Sequence, residues 1–212
     1  MNNPEFSLDD TDFQLPYVNC INMDPNTNND FLNDFQSDSF SLLSFNIRSC
    51  RKNFASLCSL ISVGLLMFRF SIITLCETWL DEKIDHGFDL PGYGQLNLYR
   101  HGHGGGLKVY YDKCFNVEVV DRFTIINEFI EILTFYLIGT NFRYLICSVY
   151  RPPSSCPFSF CRILFEQILN NLPPHCNVII TGDINLNLLN PNRLNSIREF
   201  INGMLASNFF PS

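Results

Sequence analysis

Apolar residues fall into short runs whose spacing switches between strand-like and helix-like along the chain. Phe40 to Ile47, "FSLLSFNI", is a compact aromatic and aliphatic run that predicts a strand. Behind it Phe54, Leu57, Ile61, Leu65 and Phe68 recur at helical spacing, and Phe70 to Cys76 then forms a β-branched run that stops abruptly at Glu77. Residues 81–106 are polar and glycine-rich, holding "LPGYG" and "HGHGGG", and predict a long connection. "LKVYYD" and "FNVEVV" alternate as strands, with "DKC" between them suggesting a hairpin. "FIEILTFYLIG" and "FRYLICSVY" predict a second hairpin across Gly139 to Asn141. Past the stiff "RPPSSCP", the residues Phe160, Leu164, Ile168 and Leu172 trace a helical face. "NVIITGD" restarts as a strand, and Ile197, Ile201 and Leu205 mark a last helix. Strand–helix–strand stretches mixed with hairpins argue for a layered α/β sandwich with mixed sheets over a purely parallel sheet.

Charge divides the chain in two. Residues 1–40 hold eight of the 21 acidic residues, eight Asn and no Lys or Arg, which leaves 13 acids against 14 bases from Ser41 onward. The acidity therefore belongs to a leader, residues 1–39, whose scarce aliphatics cannot offset its ordering entropy, and a domain is expected over 40–212. The leader has neither the basic start nor the apolar stretch of a secretory signal. The uncharged run Phe54 to Phe68 is shorter than the ~20 residues that span a bilayer. Nine cysteines, an odd number without a C-x-x-C and mostly inside apolar runs, suit a reduced intracellular protein and argue against a zinc site.

Candidate chemistry lies at the carboxyl ends of four predicted strands, where Asn46, Glu77, Tyr150 and Asp183 stand, with Asn185 just beyond. Layered α/β proteins collect sites along such edges. Glu77 and Asp183 are hard oxygen donors of the kind Mg²⁺ takes one or two at a time, and Asn46 can add a neutral oxygen. Tyr150 and Asn185 are donors suited to the non-bridging oxygens of a reacting phosphate, and Asp183 alternatively suits a base that aligns water. Each residue also has a plain alternative: Glu77 a helix cap, Asp183 and Asn46 turn formers, Tyr150 a buried aromatic, Trp79 part of the core. Arg48, Arg51, Lys52, Arg100 and Arg151 lie near these blocks and could form a basic rim or be scattered solvated charges. His86 after Asp85, His101 and His103 in a Gly-rich turn, and His175 between Pro174 and Cys176 are expected in loops.

"LLSFNIRS", "IITLCETWL", "GGGLKVYY", "ICSVYRPP" and "VIITGDINLN", in that order, resemble the endonuclease/exonuclease/phosphatase superfamily. More narrowly they resemble the apurinic-endonuclease-like domain encoded by non-LTR (LINE-type) retrotransposons. The resemblance implies a four-layered sandwich, incomplete at its C-terminus, and Mg²⁺- (or Mn²⁺-) dependent nicking of DNA, with no membrane partner. It places Asn46 and Glu77 at the metal, Tyr150 at the scissile phosphate, and Asp183 and Asn185 at the attacking water, while Arg48 and Arg151 would bind substrate. The family's terminal S-D-H block has no counterpart here, so an inactive or weak fragment is expected, intracellular and nuclear if functional. Two alternatives remain: a phosphodiesterase acting on lipid or inositol phosphates, and a non-catalytic binding remnant.

Overall fold

The computed structural model describes residues 40–64, 69–101, 104–189 and 195–209. The leader at 1–39 and the positions Leu65, Phe68 and His103 lie outside the described residues. Strand β1 (Leu42–Asn46), helix α1 (Cys50–Gly64) and strand β2 (Ile72–Cys76) form a β-α-β unit whose strands pair in parallel. Strand β4 (Leu107–Asp112) pairs antiparallel with both β2 and β3 (Tyr93–Leu98), giving a first sheet of order β1-β2-β4-β3.

The second sheet contains β5 (Asn116–Val119), β6 (Ile125–Ile126), β7 (Glu131–Ile138), β8 (Arg143–Tyr150) and β9 (Asn177–Asp183). Its order is β5-β7-β8-β9, with β6 also pairing β7. The β7–β8 hairpin forms as expected, while β8 and β9 pair in parallel across a second β-α-β crossover. That crossover begins as α2 (Pro157–Arg162) and continues through a π-helical turn, Ile163–Ile168. Helix α3 (Asn195–Ala206) follows β9.

Side-chain alternation sorts these strands into layers. Ile72, Cys76, Leu107 and Val109 of the first sheet meet Leu133, Phe135, Leu137, Ile146 and Tyr150 of the second in a core between the sheets. The opposite face of the first sheet (Ile73, Leu75, Tyr110) packs on Cys50 and Leu57 of α1. The opposite face of the second (Ile132, Cys147, Val149) packs on Phe160, Cys161, Leu164, Phe200 and Met204. Helix, sheet, sheet, helix makes a four-layered α/β sandwich with two mixed sheets. Strands covered on both faces read as continuous apolar runs in sequence, which is why β2 and β8 show so little alternation.

Three expectations need correction. The β4–β5 hairpin does not form: β4 belongs to the first sheet and β5 to the second, so "DKC" carries the chain between layers. The connection at 81–106 contains β3, an edge strand whose Gly94, Gln95 and Asn97 hide it in sequence, Asn97 being spent on hydrogen bonds to Asp85 and Lys108. Helix α3 buries Ile197, Phe200 and Met204, leaving Leu205 exposed, because its inner face follows i, i+3, i+7 where the expected face followed i, i+4, i+8. No described helix is long and apolar enough to cross a membrane. The eight described cysteines are thiols, and burial pushes those of Cys76 and Cys147 up to about 12, which keeps them from acting as thiolates.

Candidate active site

The parallel pairs β1/β2 and β8/β9 bring their carboxyl ends to one edge of the sandwich. Backbone bonds zip the first pair together beyond its strands: Ile47 N–H donates to Cys76 O at 3.0 Å, Ser49 N–H to Glu77 O at 2.8 Å, and Cys50 N–H to Thr78 O at 2.9 Å. Arg48, Ser49, Glu77 and Trp79 all adopt positive φ here, which costs non-glycine residues of order 1–2 kcal/mol each. Strain of this kind persists only where surrounding bonds over-determine the backbone.

In this frame the Asn46 Nδ2 amide donates to Glu77 Oε1 at 2.9 Å and to Asp183 Oδ2 at 2.8 Å. A residue from the first sheet thus bridges two carboxylates, the second of them 137 positions away on the other sheet. The Asn46 side-chain oxygen accepts from Arg48 N–H at 3.2 Å, so the amide faces the carboxylates with its nitrogen. Tyr150 stands opposite Asp183 in the β8–β9 register. Burial, then the Glu77 carboxylate and a hydrogen bond to it, hold the Tyr150 phenol above its usual range. It therefore stays protonated and able to donate at neutral pH.

The turn after β9 is built by hydrogen bonds. Asp183 Oδ1 accepts from Asn185 N–H at 2.9 Å, and Arg151 N–H donates to Asp183 O at 2.9 Å. The Asn185 amide donates to Arg151 O at 2.7 Å with its side chain otherwise exposed, leaving a second amide hydrogen free. Gly182 at φ +127 makes the turn possible, since a Cβ there would run into the Val149 carbonyl oxygen of β8.

Arg151 does not sit on a substrate-facing rim. It is 4% exposed, and its guanidinium donates to Ile184 O (2.7 Å), Asn185 O (2.5 Å) and Ser155 O (2.8 Å). It ties the "RPP" turn to the Asp183 turn, and those carbonyls consume the donors that a phosphate would need. Arg48 is exposed and has no ion-pair partner among the described residues, so it is free to meet an anion. Trp79, expected in the core, is 42% exposed. His86, His101 and His175 are exposed, and none hydrogen-bonds to the cluster.

Sequence reasoning missed Glu131. Its carboxylate is fully buried, pairs with Arg100 Nη1 at 3.0 Å and accepts from Gly106 N–H at 2.7 Å. Gly105 and Gly106 in turn accept from Trp79 and Thr78 N–H, so Glu131 anchors the glycine loop behind Glu77. A Cβ at Gly105 would collide with the Glu131 carboxylate. One signal was available: a lone acid opening the apolar run "EILTFYLI".

Burial pushes the Glu131 carboxyl above its ordinary value of 4.5, against the pull of Gly106 N–H and Arg100. The native state therefore keeps a proton that the unfolded chain releases. This contribution to stability is complete below the unfolded value and is lost as pH rises through the folded one. The Tm of the wild type is expected to decline relative to Glu131→Gln as pH is raised from about 4 to about 7. A constant difference between the two melting curves across that range would refute the assignment.

Two carboxylates converging on one point with an amide beside them suit a hard divalent cation, which takes one or two carboxylates and completes its shell with water and phosphate. Among the described residues no three His, Cys, Asp or Glu side chains are grouped as a metal cage, so a cation here would rest on two carboxylates and on water and substrate oxygens.

Known proteins share this architecture. The fold is similar to the endonuclease domain of TRAS1, a telomere-specific non-LTR retrotransposon, with TM-score 0.61 and 13% identity over 80% of this chain and 71% of that one. It is also similar to an AP endonuclease from Archaeoglobus fulgidus (TM-score 0.57, 12% identity, 79% of this chain and 70% of that one). A third similar structure is the mannosyl-6-phosphatase of Bacteroides thetaiotaomicron (TM-score 0.55, 14% identity, 77% of this chain and 70% of that one). No curated protein matches the sequence. The model of the endonuclease/exonuclease/phosphatase family matches residues 43–200, a span that runs from β1 into α3 and takes in all four strand ends of the cluster. The chain belongs to the endonuclease/exonuclease/phosphatase family.

Proposed function

We propose that this chain is a divalent-metal-dependent phosphodiesterase that nicks DNA, of the type carried by non-LTR (LINE-type) retrotransposons. The observation that carries this reading is the convergence of Glu77 and Asp183, one from each sheet, on the Asn46 amide. The five sequence blocks and the likeness to the TRAS1 endonuclease domain support the choice of DNA over other phosphate esters.

Glu77, with Asn46 beside it, would hold Mg²⁺ or Mn²⁺, and the bound ion would supply Lewis-acid stabilisation of charge on the phosphate. Asp183 holds the attacking water and takes its proton as the water oxygen bonds to phosphorus and the opposite P–O bond breaks. The protonated Tyr150 phenol and the free Asn185 amide hydrogen donate to the non-bridging oxygens. Arg48 meets a flanking phosphate from the rim.

A second reading, hydrolysis of sugar, inositol or lipid phosphates, draws on the mannosyl-6-phosphatase neighbour and on the near-balanced charge of residues 41–212, since DNA affinity rests on Lys and Arg. The two separate on one preparation. Metal-dependent relaxation of supercoiled plasmid, without phosphate release from mannose 6-phosphate or inositol phosphates, is the expected result. The opposite pattern installs the second reading, and neither activity leaves a binding remnant.

A further inference from the structure

We propose that Trp79 is a stacking platform for one unpaired nucleobase next to the phosphate held at the Asn46–Glu77–Asp183 cluster. This deepens the nuclease reading above and rests on it. Trp79 lies two residues beyond Glu77, so their Cα atoms are at most about 7 Å apart, roughly the span of one nucleotide. Its indole is 42% exposed and has no hydrogen-bond or ring partner among the described residues.

The backbone beneath it is fixed at some cost. Glu77 at φ 55 and Trp79 at φ 54 are both left-handed, and the turn is clamped by Trp79 N–H to Gly105 O (3.0 Å), Thr78 N–H to Gly106 O (3.2 Å) and Cys50 N–H to Thr78 O (2.9 Å). Thr78, between them, is buried. The clamp therefore fixes the backbone that carries the ring, and the residue stays 42% open to solvent. The loop beside the ring is Gly104–Gly106, all at positive φ, and a Cβ on Gly104 would stand 3.9 Å from the indole nitrogen, so among the described residues glycine keeps that edge open.

One part-exposed ring beside a glycine loop offers no groove for an acyl chain. It does offer a flat face with an unpaired N–H at its edge, which suits a base. Aromatic stacking accepts any base, but only one whose own face is free, so the partner is an unpaired base and not a duplex step.

The chain contains a single Trp, so its intrinsic fluorescence reports on this residue alone. The experiment titrates full-length protein, in the Asp183→Asn background to prevent cleavage, with a single-stranded oligonucleotide and with the same chain built from abasic sugars. Anisotropy of an end label gives affinity independently. Quenching by the base-bearing strand but not the abasic one, with affinity falling about tenfold or more for Trp79→Ala and less for Trp79→Phe, is expected. Circular dichroism checks that both variants fold. Equal quenching by both strands, or unchanged affinity of both variants, overturns the stacking role while leaving the nuclease reading in place. Failure of the base-bearing strand to bind overturns the stacking role, whereas it is the absence of metal-dependent plasmid relaxation by the wild type that overturns the nuclease reading.

Discussion

Replacing Glu77 with Gln, or Asp183 with Asn, is expected to abolish the stabilisation that Mg²⁺ or Mn²⁺ gives the wild type and to lower metal-dependent cleavage by at least ~10²–10³-fold. Both carboxylates accept from the same Asn46 nitrogen, at 2.9 and 2.8 Å, so the two accepting oxygens stand close to one another on either side of it. Without metal, that proximity of like charges works against folding, and the one bridging NH₂ group offsets it only in part. Neutralising either acid removes the repulsion while keeping a side chain of the same shape. The metal-free variants should therefore melt at the same temperature as the wild type or above it, and only the metal-induced shift should vanish. That combination separates a ligand from a structural carboxylate, whose loss lowers the metal-free Tm. Asn46→Ala serves as the counter-case: it removes the bridge but not the charges, so the metal-free Tm should fall and metal binding should weaken without disappearing. A full metal-induced shift retained by Glu77→Gln would refute the site.

How far the cluster was legible beforehand depends on the kind of contact that builds each part. Asn46, Glu77, Tyr150 and Asp183 stood out because apolar runs end abruptly in a polar residue, and that break is local. The layered α/β class followed from the same local alternation of strands and helical spacing. Arg151 was misread because its neighbours in sequence say nothing of the Ile184 and Asn185 carbonyls, more than thirty positions away, that receive its guanidinium. Trp79 was misread for a related reason. Its outward direction comes from left-handed backbone at 77 and 79, imposed by the glycine loop at 104–106, and a Trp among Thr and Leu otherwise belongs in a core. Strand β3 was lost because Gly94, Gln95 and Asn97 leave it little apolar signal, and the β4–β5 hairpin was invented because a short polar link between two alternating runs looks the same whether it turns within a sheet or passes between two.

Asp85 and His86 illustrate the same limit, and they lead to the largest stability effect expected in the molecule. In sequence they imitate an Asp-His pair; in the fold His86 is exposed, and Asp85 is the buried counter-charge of Lys108 at 2.7 Å. Lys108 is fully buried on the helix-facing side of β4, where its Nζ also donates to Asn97 Oδ1 at 3.0 Å. Asp85 accepts besides from Asn97 Nδ2 at 2.9 Å and from the Tyr99 hydroxyl at 3.0 Å. Burial, and then Asp85 itself, push the Tyr99 phenol up to about 12, so it remains a donor across the physiological range. Every member of this network thus depends on charges withdrawn from water, and removing one strands the other. Lys108→Met is expected to cost about 3–5 kcal/mol, which in a domain of this size lowers Tm by roughly 6–20 °C. Asp85→Asn alone should be comparably damaging, because the ammonium then faces an amide. Combining the two removes both charges, keeps acceptors for Asn97 and Tyr99, and should restore most of the loss, so the cycle yields a coupling energy of several kcal/mol. Strict additivity of the two single losses, measured by urea unfolding, would show that the pair is held by its surroundings and contributes no mutual attraction to the fold.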